Sequence, residues 1–296
     1  MSATLGRAAF TGRLLPGHAL HPIDPLILSQ TRTTFSCATL LALLSVGRYW
    51  QLIKISGRDF RRLLLIGILG VAASNYFYYL AIQRTNVATA IVVQYTAPVW
   101  VLLYAVTRGQ QKPTVQRIAA VALAVMGIAL VIQIFGHGQL RLDKIGLLAA
   151  FLAAFSYAFY NLAGHDILAL HSRWTVLFYT TLTASLFWIV INPPAKILSA
   201  NYSGAQWLFL FVFSLLSVLG PFSFYFAGLQ HLEPTRAIVV SCLEPVFSIV
   251  IAAIMLGETL RTVQTIGIIM VLAAIVVVQL PSRQSETPAQ PLELIE

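Results

Sequence analysis

The sequence predicts an all-α polytopic membrane protein, a helix bundle built from two inverted five-helix repeats. Three observations lead to this prediction. Hydrophobic residues make up 58% of the 296 residues and charged residues only 10%, whereas a soluble domain carries about a quarter charged residues. Several segments are long and apolar enough to cross a bilayer. One apolar motif returns 147 residues later with its polar members in place.

Each predicted span must be helical, because backbone polar groups in lipid have to find their hydrogen-bond partners within the segment. The links between spans are short, and residues 282–296 form a polar tail that we expect to be disordered and cytoplasmic. Nine full spans are predicted, near 26–46, 63–82, 87–107, 115–135, 144–164, 173–192, 206–229, 235–256 and 262–280.

The repeat is carried by the strings AIVVQYTAPVW at 90–100 and AIVVSCLEPVF at 237–247. At the same offset Phe77 and Tyr78 meet Phe224 and Tyr225. Apolar helices match one another easily by chance, but identical tyrosine, glutamine and proline positions at one offset do not. Internal symmetry of this kind is typical of membrane transporters.

The repeat also predicts the two domains, residues 1–135 and 136–281. Shifted back by 147 positions, the span at 144–164 would begin before Met1 and end near Gly17. We therefore expect the first helix of the first repeat to be truncated, with AAFTGRLLPGH as its remaining end.

Charge predicts that the repeats are inverted, since five helices are an odd number. The loop at 47–62 contains five basic residues, whereas its equivalent at 193–205 contains only Lys196. The loop at 108–117 is likewise more basic than its equivalent GETLR at 257–261. Positive loops stay in the cytoplasm, which places both basic loops and the C-terminus there. The plasma (inner) membrane is the predicted location.

The basic residues lie between apolar segments, so the net charge of +9 indicates topology and not nucleic-acid binding. The partners that we expect are membrane lipid and a small-molecule substrate; the sequence predicts no oligomeric state. No cofactor is predicted. Histidines flank the loop HDILALH, but their surroundings do not favour a metal site.

Glu244 is an acidic residue near the middle of a predicted span, where a charge is costly and functional by default. It could bind a cationic or amino group, carry a proton, or form a structural hydrogen bond to a neighbouring helix. Ser241 lies on the same helix face. Arg32 is the other charge within a span, and an anion-binding role and a pair with Glu244 are both open for it. We expect it to have a gating or structural role more readily than a role in substrate contact.

Pro98 and Pro245 interrupt the backbone hydrogen bonds of two equivalent spans. Bent helices placed symmetrically in two halves indicate a binding site at the membrane midplane. Aromatic and amide side chains that suit such a cavity occur on the other spans. With Ser241, Glu244 and both prolines, the predicted cavity residues are Asn75, Tyr78, Gln94, Tyr157, Asn161 and Tyr225.

The repeated pattern Y-x4-Q followed by A-IVV-x4-PV, with Leu256, Gly257 and Glu258 closing the second copy, resembles the EamA-type branch of the drug/metabolite transporter superfamily. The resemblance implies a ten-helix, two-repeat carrier with a central cavity. Glu258 matches a position of the family's motif, and we expect it, like Arg32, to have a gating or structural role. Related members move amino acids, other metabolites or toxic organic compounds.

The function predicted is secondary transport, the export of small organic metabolites such as amino acids by alternating access. A non-transporting scaffold or receptor, or an inactive paralogue with an incomplete first repeat, is the alternative. A membrane-embedded enzyme would need a nucleophile or metal cluster near one interface, and no such cluster occurs in the sequence.

Overall fold

A computed structural model describes residues 23–46, 49–85, 87–133, 143–247, 250 and 261–280. Within these residues the regular structure is entirely helical. The residues in which we expect a truncated first helix, the boundary at 135/136, Glu258 and the tail 282–296 lie outside the described residues. Thirteen α-helices are labelled in chain order: α1 Pro25–Val46, α2 Gly57–Leu65, α3 Ala73–Arg84, α4 Val87–Gln94, α5 Ala97–Thr107, α6 Val115–Val131, α7 Lys144–Leu168, α8 Arg173–Ile191, α9 Pro194–Ser199, α10 Gly204–Ser214, α11 Gly220–Leu229, α12 Pro234–Ser241 and α13 Thr262–Gln279.

Six continuous helical stretches in the described part are long and apolar enough to cross a membrane. Two of them, 57–82 and 204–229, contain a π-helical segment in their middle, Ile66–Ala72 and Leu215–Leu219 respectively. α6 is apolar but has only 17 residues. The chain is therefore a polytopic helical membrane protein, while the predicted count of nine full spans stays a prediction.

Serine residues cap the N-termini of the two helical stretches that contain π segments. Ser56 accepts a hydrogen bond from the backbone N–H of Asp59, and Ser203 accepts one from the N–H of Gln206. Such caps satisfy a backbone N–H that has no partner within the helix. α2 consequently begins at Gly57, six residues before the predicted start of this span. Charged residues that the sequence analysis placed in the preceding loop are therefore part of its first turns.

The two serines lie 147 residues apart, and so do other helix boundaries. α4 and α12 begin and end at equivalent positions, Val87–Gln94 and Pro234–Ser241. Each ends at a turn, formed by Tyr95 and Thr96 in one case and by Cys242 in the other. Helical residues resume after each turn, at 97 and at 243. The two spans with prolines are thus interrupted at equivalent positions.

Helices pack both against the helix that lies 147 residues away in the chain and against other helices. α1 packs against α8, α3 against α7, and α6 against α13. The contact between α6 and α13 depends on glycine: a Cβ atom on Gly267 would lie 2.6 Å from the carbonyl oxygen of Gly127. These two backbones approach as closely as they do because neither glycine has a side chain.

Candidate functional site

The two interrupted spans meet at their breaks. The hydroxyl of Tyr95 donates a hydrogen bond of 3.0 Å to the Glu244 carboxylate. α12 packs against α5, and both Pro98 and Pro245 are buried near the start of the helical piece that follows each turn. Glu244 itself is exposed, so its carboxylate borders open space as well as Tyr95.

A second set of predicted residues forms a chain of hydrogen bonds beside Glu244. Tyr157 donates its hydroxyl to Ser241 at 3.1 Å, and the Asn161 amide donates to the Tyr157 carbonyl at 3.0 Å. The Tyr225 hydroxyl donates to the Asn161 side-chain oxygen. This chain links α7 with α11 and α12. Asn161 is fully buried, which makes it a structural member of the chain.

Tyr78 lies close enough to both Glu244 and Arg32 to interact electrostatically with each. The ring of Tyr79, the next residue, is 5.6 Å from the ring of Tyr78, and its hydroxyl accepts a hydrogen bond of 3.3 Å from Arg32. Tyr78 is thus near both the basic and the acidic residue, and its neighbour Tyr79 binds the basic one. The sequence left a direct pair between these two charges open, and the structure has Tyr78 close to both of them.

Two of the predicted cavity residues make local contacts. The Gln94 amide donates to the Ser74 hydroxyl at 3.3 Å and joins α4 to α3. The Asn75 amide donates to the Val71 carbonyl at 2.7 Å, within its own helix. Asn75 also lines a cavity, whereas Gln94 is not among the residues that line it.

This small cavity lies among α1, α3, α7, α8 and α11. Its non-atom space is about 320 Å³ when the open solvent at its mouth is included. Of the predicted residues only Arg32 and Asn75 line it. The other lining residues, which the sequence analysis did not select, are Thr33, Val71, Tyr160, Leu177, Thr180, Thr181, Val218 and Phe222. The sequence feature that could have indicated this cavity is the threonine-rich string TTLT in α8, which includes two of the lining residues.

No group of three or more His, Cys, Asp or Glu side chains suited to a metal ion occurs in the described part of the chain. Both cysteines are buried, and neither forms a disulfide. The chemistry that the described residues offer is therefore recognition by hydrogen bonds, rings and two opposite charges.

Relatives share most of the chain. An uncharacterised inner membrane transporter of Salmonella typhimurium, YicL, is 22% identical over 273 residues, 87% of this chain and 89% of its own length. The threonine/homoserine exporter RhtA of Escherichia coli K12 is 27% identical over 238 residues, covering 79% of this chain and 76% of its own. A solved crystal structure covers 94% of this chain and 96% of its own, with a TM-score of 0.73 and 18% identity.

The family profile described as EamA-like transporter family matches the chain twice, at residues 9–133 and 144–280. These two matches cover most of the chain and include both helix breaks. They confirm the resemblance seen in the repeated motif. This chain is a member of the EamA-like transporter family.

Proposed function

We propose that this chain is a secondary carrier that exports small organic metabolites such as amino acids by alternating access. The observation that carries the proposal is the hydrogen bond between Tyr95 and Glu244, because it joins the two equivalent helix breaks at one place. Broken helices that meet in this way expose backbone groups and charges to a solute at the membrane midplane. The named relative that exports threonine and homoserine supports the choice of amino acids.

The proposal includes two inverted repeats, at residues 1–135 and 136–281, with the C-terminus in the cytoplasm of a cell with an inner membrane. Contacts between loops support this arrangement. Arg117, after the basic loop at 108–114, pairs with Glu233 at 2.8 Å, and His171 lies 3.1 Å from Asp59, after the basic loop at 49–56. Each basic loop thus contacts a loop of the second half that the proposed topology also assigns to the cytoplasm.

The predicted cavity residues divide into roles. Glu244 faces the ammonium group of a solute, and Tyr78, Tyr95 and Tyr157 supply hydroxyls and ring faces around it. Ser241, Asn161 and Tyr225 hold Tyr157 in place. The interrupted helices at Pro98 and Pro245 provide the flexible points that alternating access requires. Glu258 keeps its gating role as part of the proposal.

Flux into sealed vesicles tests the proposed function. The full chain is purified and reconstituted into liposomes. The liposomes are loaded with unlabelled L-threonine, and the uptake of radiolabelled L-threonine from the outside is measured. A carrier gives transient counterflow that saturates with substrate and is competed by homoserine. Flux equal to that of protein-free liposomes for L-threonine and a panel of other amino acids would contradict the proposal and favour a non-transporting scaffold.

A further inference from the structure

The small cavity beside Arg32 contains two hydrogen-bond donors that have no partner. The hydroxyl of Tyr160 and the Nε of Arg32 are both inaccessible to solvent, and neither makes a hydrogen bond. Tyr160 is only 2% exposed, and both residues line the same cavity. Buried polar groups in folded proteins are nearly always paired, so two unpaired donors in one cavity indicate a missing acceptor.

The Arg32 guanidinium is held in a fixed orientation. One terminal nitrogen donates to the Tyr79 hydroxyl at 3.3 Å, and the other donates to the Ser217 carbonyl at 3.2 Å. Its central carbon lies 5.4 Å from the ring centre of Phe213, a favourable cation–π contact. These contacts come from α3, α10 and the second π segment, and they leave the Nε side of the guanidinium for another partner.

Within the described part of the chain, no acidic side chain forms an ion pair with Arg32. Its neighbours in the cavity are hydroxyl, amide and apolar side chains. A positive charge in a span is costly unless it is paired, so a ligand that completes this site must carry negative charge.

We propose that Arg32 and Tyr160 bind the carboxylate group of the transported solute. This inference rests on the proposed function and names a subsite for it. A carboxylate accepts several hydrogen bonds and forms the strongest of them with an arginine, which fits the two unpaired donors and the unpaired charge. Amino acids, whose carboxylate is charged at neutral pH, are solutes that would complete this subsite.

Two compounds separate the contributions of the two ends of the ligand. L-Threoninamide keeps the ammonium group but replaces the carboxylate by a neutral group of the same shape, and inorganic phosphate offers a free anion without an ammonium group. Thermal unfolding of the purified full chain is followed with increasing concentrations of L-threonine, L-threoninamide or phosphate, since a ligand stabilises the state that it binds. We expect L-threonine to be half-saturating at a concentration about tenfold lower than the amide.

The Tyr160→Phe variant removes only the unpaired hydroxyl. Without ligand we expect its unfolding temperature to equal or exceed that of the natural chain, because the substitution removes a buried hydroxyl that destabilises the fold by having no partner. With ligand, the preference for L-threonine over L-threoninamide should fall about threefold or more. The Arg32→Lys variant, which keeps the charge but loses the Nε donor and the fork, should reduce the same preference.

Tyr179→Phe is the matched control, since the Tyr179 hydroxyl already donates to the Ile53 carbonyl at 2.6 Å. This variant should unfold at a lower temperature without ligand and keep the full preference for the carboxylate. The inference is wrong if Tyr160→Phe and Tyr179→Phe behave alike, or if the amide and the acid stabilise the natural chain equally.

The two proposals fail in different ways. Counterflow of amino acids with no effect of either cavity variant on the carboxylate preference leaves the carrier function standing and overturns the subsite. Binding of L-threonine that depends on Arg32 and Tyr160, without any flux in liposomes, supports the subsite and overturns the transport function. Stabilisation by phosphate alone would overturn the assignment to a substrate carboxylate and identify a site for a free anion.

Discussion

The Tyr95 hydroxyl and the Glu244 carboxylate are hydrogen-bonded at 3.0 Å, although 149 residues separate them in the chain. Tyr95 lies in the turn that ends α4, and Glu244 follows the turn that ends α12. The bond therefore joins the interruption in one half of the chain to the equivalent interruption in the other. Its acidic member occurs in one half only, because Ala97 stands at the position equivalent to Glu244.

Removing the charge of Glu244 should impair transport without unfolding the protein. We expect Glu244→Gln to lower the counterflow of L-threonine about tenfold, because a neutral amide attracts an ammonium group far less than a carboxylate does. Its folded yield should be unchanged, since Glu244 is exposed and the glutamine amide oxygen can still accept the hydrogen bond from Tyr95. The measurement is flux per folded molecule in liposomes.

Glu233→Gln is the control for this experiment, because Glu233 is a half-exposed acid that pairs with Arg117 outside the proposed site. It should transport L-threonine within about twofold of the natural chain, as exposed ion pairs contribute little. Equal rates for the two variants would make Glu244 a structural residue.

The inverted arrangement predicts that Lys54 and Lys196 lie on opposite sides of the membrane. Each lysine is exposed and can be replaced by cysteine. The natural cysteines give a quiet background, because Cys37 is 7% exposed and Cys242 is 0% exposed. A membrane-impermeant maleimide added to right-side-out vesicles should label Lys196→Cys, and the same reagent added to inverted vesicles should label Lys54→Cys.

The unsubstituted chain, treated in the same way, reports any labelling of Cys37 and Cys242. Labelling of both introduced cysteines from one side would rule out the inverted repeats, whatever the transport activity. A chain labelled on both sides at one position would indicate mixed insertion and is checked by protease protection of a C-terminal tag.

The contact between α6 and α13 predicts that Gly267 tolerates no side chain. A Cβ atom there would lie 2.6 Å from the Gly127 carbonyl oxygen and 2.7 Å from the backbone nitrogen of Val131. Backbone atoms cannot move aside as a flexible side chain would, so Gly267→Ala should destabilise the protein by about 1–3 kcal/mol. Thermal unfolding of the purified protein in detergent measures the effect.

Gly228→Ala is the matched substitution, since nothing lies within 4 Å of a Cβ atom at Gly228. Alanine is the better helix former, so this variant should be as stable as the natural chain or slightly more stable. An equal loss of stability in both variants would contradict the close approach of α6 and α13.

A buried pair of amide side chains predicts non-additive mutations at the ends of α1 and α8. The Asn192 amide donates to the Gln30 side-chain oxygen at 2.8 Å, and both residues are nearly inaccessible. Asn192→Leu leaves Gln30 buried without this partner and should cost about 1–3 kcal/mol. The double variant with Gln30→Leu should recover most of this loss in the same unfolding measurement; additive losses would disprove the coupling.

Composition and the repeat were sufficient to predict the helical membrane bundle and the family, but they misplaced the start of α2. Hydropathy detects where a helix enters lipid, and the charged residues Arg58, Asp59, Arg61 and Arg62 moved the predicted start to residue 63. The helix itself begins in the aqueous region at Gly57, after the Ser56 cap. Ser56, a residue type that favours a helix N-cap, was visible in the sequence three residues before Asp59.

The π segments show a different limit. The segment Leu215–Leu219 lies directly before Gly220 and Pro221, a pair of residues that favours a bend in a helix. Proline lacks the N–H that a regular helix would use, which favours a widened turn. The equivalent segment Ile66–Ala72 was missed because Ala73 and Ser74 follow it, and neither residue marks a break in the sequence.

The cavity beside Arg32 could be predicted only in part. The sequence identified Arg32 as a charge in a span and favoured a gating or structural role for it, and it marked Tyr157 and Asn161 on the helix that carries Tyr160. It gave no indication that the Tyr160 hydroxyl lacks an acceptor. That property depends on which groups of α1, α8 and α11 surround the ring, and such distant contacts leave no local pattern.

The glycine contact between α6 and α13 limits how the molecule moves. Two backbones in direct contact at Gly127 and Gly267 have no side chains between them that might change rotamer and let one helix slide along the other. Under the proposed alternating access, we expect any rocking of one half against the other to pivot at this crossing. The opening expected is then greatest at the positions farthest from it, so fluorescent probes that test for this motion belong there and not beside the glycines.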